Sequence, residues 1–168
     1  TVGVPIFDHK VKLSKNGEIL VKGPSVMKGY WKDKKSTYKT IKNGWLHTGD
    51  IGTIDNEKYI TIIGRVNEMI VNSGGENIAP REIDEALLEH DAVLEAAAFA
   101  RDCKDYGQRV EACVRLKDGQ SITEDALRDF CKERIGTYKT PDHIYFLPDL
   151  PKGPSGKVQR LKLLDLVS

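Results

Sequence analysis

Three short polar blocks carry side chains whose chemistry suits a nucleotide. Asp50 closes Gly44-Trp45-Leu46-His47-Thr48-Gly49-Asp50, Arg65 follows Gly64, and Lys157 closes Pro151-Lys152-Gly153-Pro154-Ser155-Gly156-Lys157. A carboxylate can accept two hydrogen bonds from a diol, as acidic residues do with ribose. A guanidinium offers a donor fork to phosphate. An ammonium is a compact charge able to meet negative charge developing on phosphorus. All three blocks read as turn-rich, outside long periodic elements, with Asp50 at the start of a strand. In this order they point to a split site for a nucleoside phosphate.

Taken singly, each block has a plainer reading. An Asp in a turn commonly satisfies nearby backbone N–H groups. Arg65 could form a surface salt bridge with Glu68 or another neighbour, and a loop lysine is usually solvated. The Lys157 block is not a Walker A loop, since Pro151 stands where that motif needs Gly and Val158 where it needs Ser or Thr. A glycine- and proline-rich loop can still hold an ammonium on a mobile arm. Ser73-Gly74-Gly75 could let a ligand's chain approach the backbone closely, or could simply be a hairpin tip.

The elements that must position these groups change character near residue 64. Up to residue 63 the pattern is of short strands: Val11–Leu13 and Glu18–Val21 around Ser14-Lys15-Asn16-Gly17, then Ile51–Ile54 and Tyr59–Ile63 around Asp55-Asn56-Glu57-Lys58. One or two helical turns fit Lys34 to Ile41. This much strand buries too little surface to stand alone. Beyond it, Met69–Val71 and Glu76–Ile78 predict a two-stranded ribbon around Ser73-Gly74-Gly75. Pro80, early acids and an Ile83/Ala86/Leu87 face predict a helix to about His90. Val93–Ala100, Val110–Leu116 and His143–Leu147 read as strands. Ser121-x-x-Glu124 reads as a capping box opening a helix that ends at Gly136, and Val158–Leu166 as a last helix.

Composition bounds the class. The chain has 168 residues, 39% hydrophobic and 30% charged, with a net charge of +1, so it is globular and has no global field to attract nucleic acid. The first 63 residues carry 11 Lys against 6 acids, or +5; the remainder carries 15 bases against 19 acids, or −4. Three scattered cysteines and four scattered histidines predict neither a disulfide framework nor a metal site. No run of about 18 apolar residues predicts a membrane span, and a reducing cytoplasm is the expected setting.

Several motifs in register resemble the C-terminal third of the adenylate-forming superfamily, which includes acyl- and aryl-CoA synthetases, beetle luciferases and peptide-synthetase adenylation domains. Gly17-Glu18-Ile19 through Gly29-Tyr30 is similar to its Gly-Glu-Ile…Gly-Tyr motif, and Trp45–Asp50 to its Thr-Gly-Asp motif. Gly64–Ile70 through Pro80–Ile83 is similar to its hinge motif, and Leu150–Arg160 to its closing Leu-Pro-Lys-x-x-Ser-Gly-Lys block. Two departures stand out. Asn67 occupies the hinge position, usually Asp or Lys, and Val71 stands where luciferases carry Lys, which disfavours light emission.

The resemblance implies an α+β fold. Residues 67–168 would be a compact C-terminal lid domain, with a small three-stranded sheet, flanking helices and a two-stranded ribbon. Residues 1–66 would be the β-rich end of a large N-terminal AMP-binding domain, the rest of which would be the lid's partner. It implies catalysis by Lys157, nucleotide binding by Asp50 and Arg65, a hinge at Asn67 and a CoA channel along Ser73, Gly74 and Gly75. ATP, Mg2+ and coenzyme A would serve as substrates or cofactors with a small-molecule carboxylic acid, in an acid–thiol ligase that forms an acyl-adenylate and then an acyl-CoA. The isolated segment is expected to be inactive. Loading of a carrier-protein thiol and a stand-alone, non-catalytic accessory domain are the competing expectations.

Overall fold

The computed structural model describes residues 1–71, 75–103 and 107–167. They fall into two compact units, Thr1–Asn67 and Glu68–Ser168.

The first unit is built on one sheet. β1 (Lys10–Leu13) pairs antiparallel with β2 (Glu18–Lys22), and β2 with β4 (Trp45–Ile54). The helix α1 (Lys34–Thr40) precedes β3 (Ile41–Lys42), which turns directly into β4. Asn43 and Gly44 both have positive φ, 52° and 76°, the conformation that a two-residue hairpin matching strand twist requires. β5 (Ile60–Arg65) pairs with the far half of β4. The Trp45–Asp50 block therefore lies inside a ten-residue strand, not in a turn ahead of one. Short-range turn residues masked a strand whose pairing comes from three different neighbours.

The second unit is an α+β layer structure. β8 (Val93–Cys103) and β9 (Gly107–Leu116) pair antiparallel, and β10 (His143–Phe146) joins β9 in parallel, giving the order β10-β9-β8. Alternation divides the strands cleanly. Ala96, Ala98, Val110, Ala112 and Val114 pack beneath α2 (Pro80–Leu88) and α3 (Glu124–Ile135) with Ile83, Leu87, Leu127 and Cys131. On the opposite face, Ala97, Phe99 and Cys113 pack with Leu150 and Leu163 of the C-terminal segment. The ribbon β6 (Ile70–Val71) and β7 (Asn77–Ile78) contributes Ile70 and Ile78 to the helix-side core. The three-stranded sheet, the flanking helices and the ribbon expected from sequence are all present.

Two local readings change. Thr123, not Ser121, caps α3, its hydroxyl accepting from the Ala126 N–H; a threonine one residue before the helix outcompetes a serine three before it. Residues beyond Val158 form a 3₁₀ turn at Arg160–Lys162 and a single turn, α4 (Leu163–Leu166). Burial of Leu163 and the hydrogen bonds of Arg160 fix this segment more than helical periodicity does.

Candidate functional site

In the first unit the Asp50 side chain is aimed by a bulge. β4 pairs Leu20 with His47 but Glu18 with Ile51, so it carries extra residues across Thr48–Asp50. Gly49 has φ +75°, which an L side chain rarely adopts. The bulge is held by side chains from elsewhere. The Glu18 carboxylate accepts from the Gly49 N–H at 3.0 Å and lies 2.7 Å from His47 Nδ1, while the Thr48 hydroxyl donates to the Ile19 carbonyl and accepts from the Asp50 N–H. Such a bulge re-aims a side chain. Asp50 faces Arg65 across β4 and β5, with Nη1 2.9 Å from Oδ1.

This geometry removes the plain reading of Asp50, while Arg65 does form the surface salt bridge expected of it, with Asp50 in place of Glu68. Asp50 does not stitch its own turn, because Glu18 and Thr48 do so. Arg65 pairs with Asp50, while Glu68 pairs with Arg160. An arginine paired with one oxygen of a part-exposed carboxylate orients it while leaving its second oxygen open to a hydroxyl donor. Asn67, exposed in a turn, is the last residue of the first unit.

In the second unit Lys157 rises from a hairpin. The Gln159 N–H donates to the Pro151 carbonyl, Lys152 and Val158 form a bridge, and the Gly153 N–H donates to the Lys157 carbonyl at 2.8 Å. The Gly156 N–H then closes the turn onto the Gly153 carbonyl at 2.9 Å. The loop is a bonded stem rather than a free arm. At its rim Lys157 is exposed, and among the described residues its ammonium has no hydrogen-bond or ion-pair partner. Lys152 anchors one side of the stem through Glu95 at 2.7 Å and Asp149 at 3.1 Å.

Of the expected channel residues, Ser73 and Gly74 lie outside the described residues. Gly75 is exposed, and nothing lies within 4 Å of where a Cβ would stand. Among the described residues no three metal-type side chains cluster, and no helix is long and apolar enough to cross a membrane.

Sequence reasoning overlooked two buried ionic nodes. Arg160 donates from Nε to Glu68 and as a fork to Asp84, whose carboxyl burial pushes above its ordinary pKa while Arg160 pulls it back. Glu111, fully buried, takes Arg101 Nε at 2.6 Å and the Tyr145 hydroxyl at 3.2 Å. Arg109 Nη2 stands 3.0 Å away, close enough for ion pairing but out of line for a hydrogen bond. The available signal was charge at inward positions: Glu111 between Val110 and Ala112, and Asp84 beside Ile83.

Comparison with known proteins agrees with this architecture. Residues 82–157 match the AMP-binding enzyme C-terminal domain. A sulfoacetate–CoA ligase of Cupriavidus necator is 51% identical over 164 residues, covering 97% of this chain and 31% of that protein. The o-succinylbenzoate–CoA synthetase MenE of Bacillus subtilis, solved with ATP and magnesium, superposes with a TM-score of 0.88 at 37% identity, covering 97% of this chain and 35% of that one. The amide bond synthetase McbA of Marinactinospora thermotolerans gives 0.89 at 28% identity, covering 99% and 36%. The second unit thus matches an AMP-binding enzyme C-terminal domain, and the curated relatives similar to nearly the whole chain include CoA ligases of the adenylate-forming superfamily. It spans about a third of the length of the curated relatives it matches.

Proposed function

We propose that these residues are the C-terminal part of an ATP-dependent carboxylic acid–CoA ligase. Residues 1–66 would complete a large AMP-binding domain and residues 67–168 would form its lid. The observation that carries the reading is the division of labour in the geometry. An oriented carboxylate–guanidinium pair sits on the first unit, which ends at Asn67, and an ammonium with no partner among the described residues sits on a braced hairpin of the second.

The chemistry has two stages with opposed needs. In the first, a carboxylate attacks the α-phosphate of Mg-ATP, displacing pyrophosphate and leaving an acyl-adenylate. Bringing two anions together calls for a cation at the reacting phosphate, the role of Lys157. Asp50 accepts hydrogen bonds from the ribose hydroxyls through the oxygen not held by Arg65, and Arg65 adds positive charge beside the nucleotide. In the second stage the CoA thiol attacks the acyl carbon and expels AMP, so the ammonium must withdraw and a thiol path must open. Rotation about Asn67 would exchange Lys157 for the ribbon loop at Ser73, Gly74 and Gly75. The segment alone would lack the nucleotide and acyl pockets and be inactive.

The test uses the full-length protein containing these residues with a panel of small carboxylic acids. Lys157→Ala is expected to abolish most carboxylate-dependent pyrophosphate exchange while largely sparing thioester formation from a prepared acyl-adenylate. Equal losses in the two assays would remove Lys157 from the first stage. Offering free CoA, a holo carrier protein and a primary amine as acceptors checks the second stage, with CoA the expected acceptor.

A further inference from the structure

β8 is an edge strand of the second unit's sheet, and exposed edges need cover. Among the described residues, no strand supplies it on the outer side of Ala98. The Ala98 N–H donates to Asp84 Oδ1 at 2.6 Å, and its carbonyl accepts from Arg160 Nη1. Asp84 and Arg160 close the figure with a fork, Nη1 to Oδ1 at 3.2 Å and Nη2 to Oδ2 at 2.7 Å. The remaining donor, Arg160 Nε, reaches Glu68 at 3.1 Å. One guanidinium therefore joins the strand edge, helix α2 and the first residue of this unit.

The positions of these contacts along the chain give the node its meaning. Arg160 follows the hairpin stem closed by Gln159, and Lys157 is three residues upstream. Glu68 immediately follows Asn67. The guanidinium, 15% exposed, is held in a fork that a lysine could not reproduce. We propose that Arg160 is a positioning residue, fixing the Lys157 hairpin to the chain just after the pivot so that the ammonium travels as part of a rigid lid. This inference rests on the adenylation reading above, and it assigns Arg160 no contact with substrate.

A loose hairpin would misplace the ammonium where alignment is decisive, and a displacement of about 1 Å can cost on the order of 10²-fold in rate. The experiment uses the full-length protein with Arg160→Lys, which keeps charge but loses the fork, and Glu68→Ala at the part-exposed rim of the node. Arg160→Lys is expected to lower kcat for pyrophosphate exchange by on the order of 10²-fold, with the KM for ATP unchanged and thioester formation from acyl-adenylate little altered. Glu68→Ala should show the same split, more weakly. Unchanged exchange, or equal loss in both half-reactions, overturns the proposal; the latter would mark the node as structural only. If Arg160→Lys fails to fold, Glu68→Ala decides the matter alone. Lys157→Ala separates the two readings. Exchange retained in Lys157→Ala sinks the adenylation reading and this inference with it, whereas exchange lost there but intact in Arg160→Lys sinks this inference alone.

Discussion

The two units bury their sheets to very different degrees. Among the described residues of the first, only Ile19, Leu20 and Ile60 are buried hydrophobics, and none is fully buried, while Val2, Val4, Ile6, Phe7 and Trp31 are exposed. The second covers its sheet on both faces, with α2 and α3 on one and the C-terminal segment on the other. Hydrophobic burial is the dominant favourable term in folding, so the second unit holds the means to fold unaided and the first does not. That contrast supports reading the first as the end of a larger body and the second as a lid.

The sharpest way to break the contrast is to separate the units. Residues 68–168 expressed alone should melt cooperatively by circular dichroism, while residues 1–67 should show no cooperative transition and should bind a hydrophobic dye. A sharp melt from 1–67 would end the comparison.

Ion pairs sharpen it further. Glu111→Gln leaves Arg101 and Arg109 beside a fully buried neutral group. The loss should be about 3 kcal/mol, since breaking a buried pair is strongly destabilising. Asp50→Asn breaks a pair in which Arg65 is half-exposed, and stability should change by less than about 1 kcal/mol. Urea unfolding measures both. The same Asp50→Asn change should nevertheless weaken ATP binding in the full-length protein, placing its value in recognition rather than folding.

What the sequence revealed follows the same division. The second unit's elements were readable because apolar patterning marks Pro80–Leu88, Val93–Ala100 and Glu124–Ile135, and both faces of its strands are apolar; β8 runs on to Cys103 through Arg101 and Asp102, polar residues that gave no strand signal. The first unit's long β4 was hidden because its Thr48–Asp50 bulge is specified by Glu18, about 30 residues away, and by no local pattern. The chemistry-bearing side chains were visible as types in turn-rich blocks. Their partners were not, since the pairing of Asp50 with Arg65 depends on β4–β5 register and that of Arg160 with Asp84 on packing between segments 76 residues apart.

Thiol chemistry reads the second unit by itself, because all three cysteines lie in it. Burial pushes Cys113 and Cys131 from 9.0 up to about 11, whereas Cys103 is only half-buried. A raised folded-state pKa contributes stability that is complete below 9.0 and lost as pH rises toward about 11. At pH 8 in native buffer a disulfide reagent should label Cys103 first and spare the other two; in urea all three should react. Fast native labelling of Cys131 would show that the helix-side core opens readily. Stability of 68–168 should fall between pH 9 and 11.

The smallest expected effects come from the two side-chain helix caps, which compare the units at equal chemistry. Thr123 caps α3, a helix that buries Leu127 and Cys131 in the main core, so its start is coupled to global unfolding. Thr123→Ala should destabilise 68–168 by about 1 kcal/mol, read as a shift in urea midpoint with unchanged slope. Asp33 caps α1 more completely, accepting from both the Ser36 N–H and hydroxyl, and the Ser36 backbone bond holds its carboxyl below the ordinary carboxylate range. Yet α1 buries nothing. Loss of that cap should fray α1 locally, seen as faster amide exchange over Lys34–Tyr38 in the full-length protein, without moving the global midpoint. Acid should mimic the substitution, because a depressed carboxylate pKa gives stability present above pH 3.8 and lost as pH falls through the folded value. A global shift on removing Asp33 would mean that α1 carries more of the first unit's fold than its exposed residues imply.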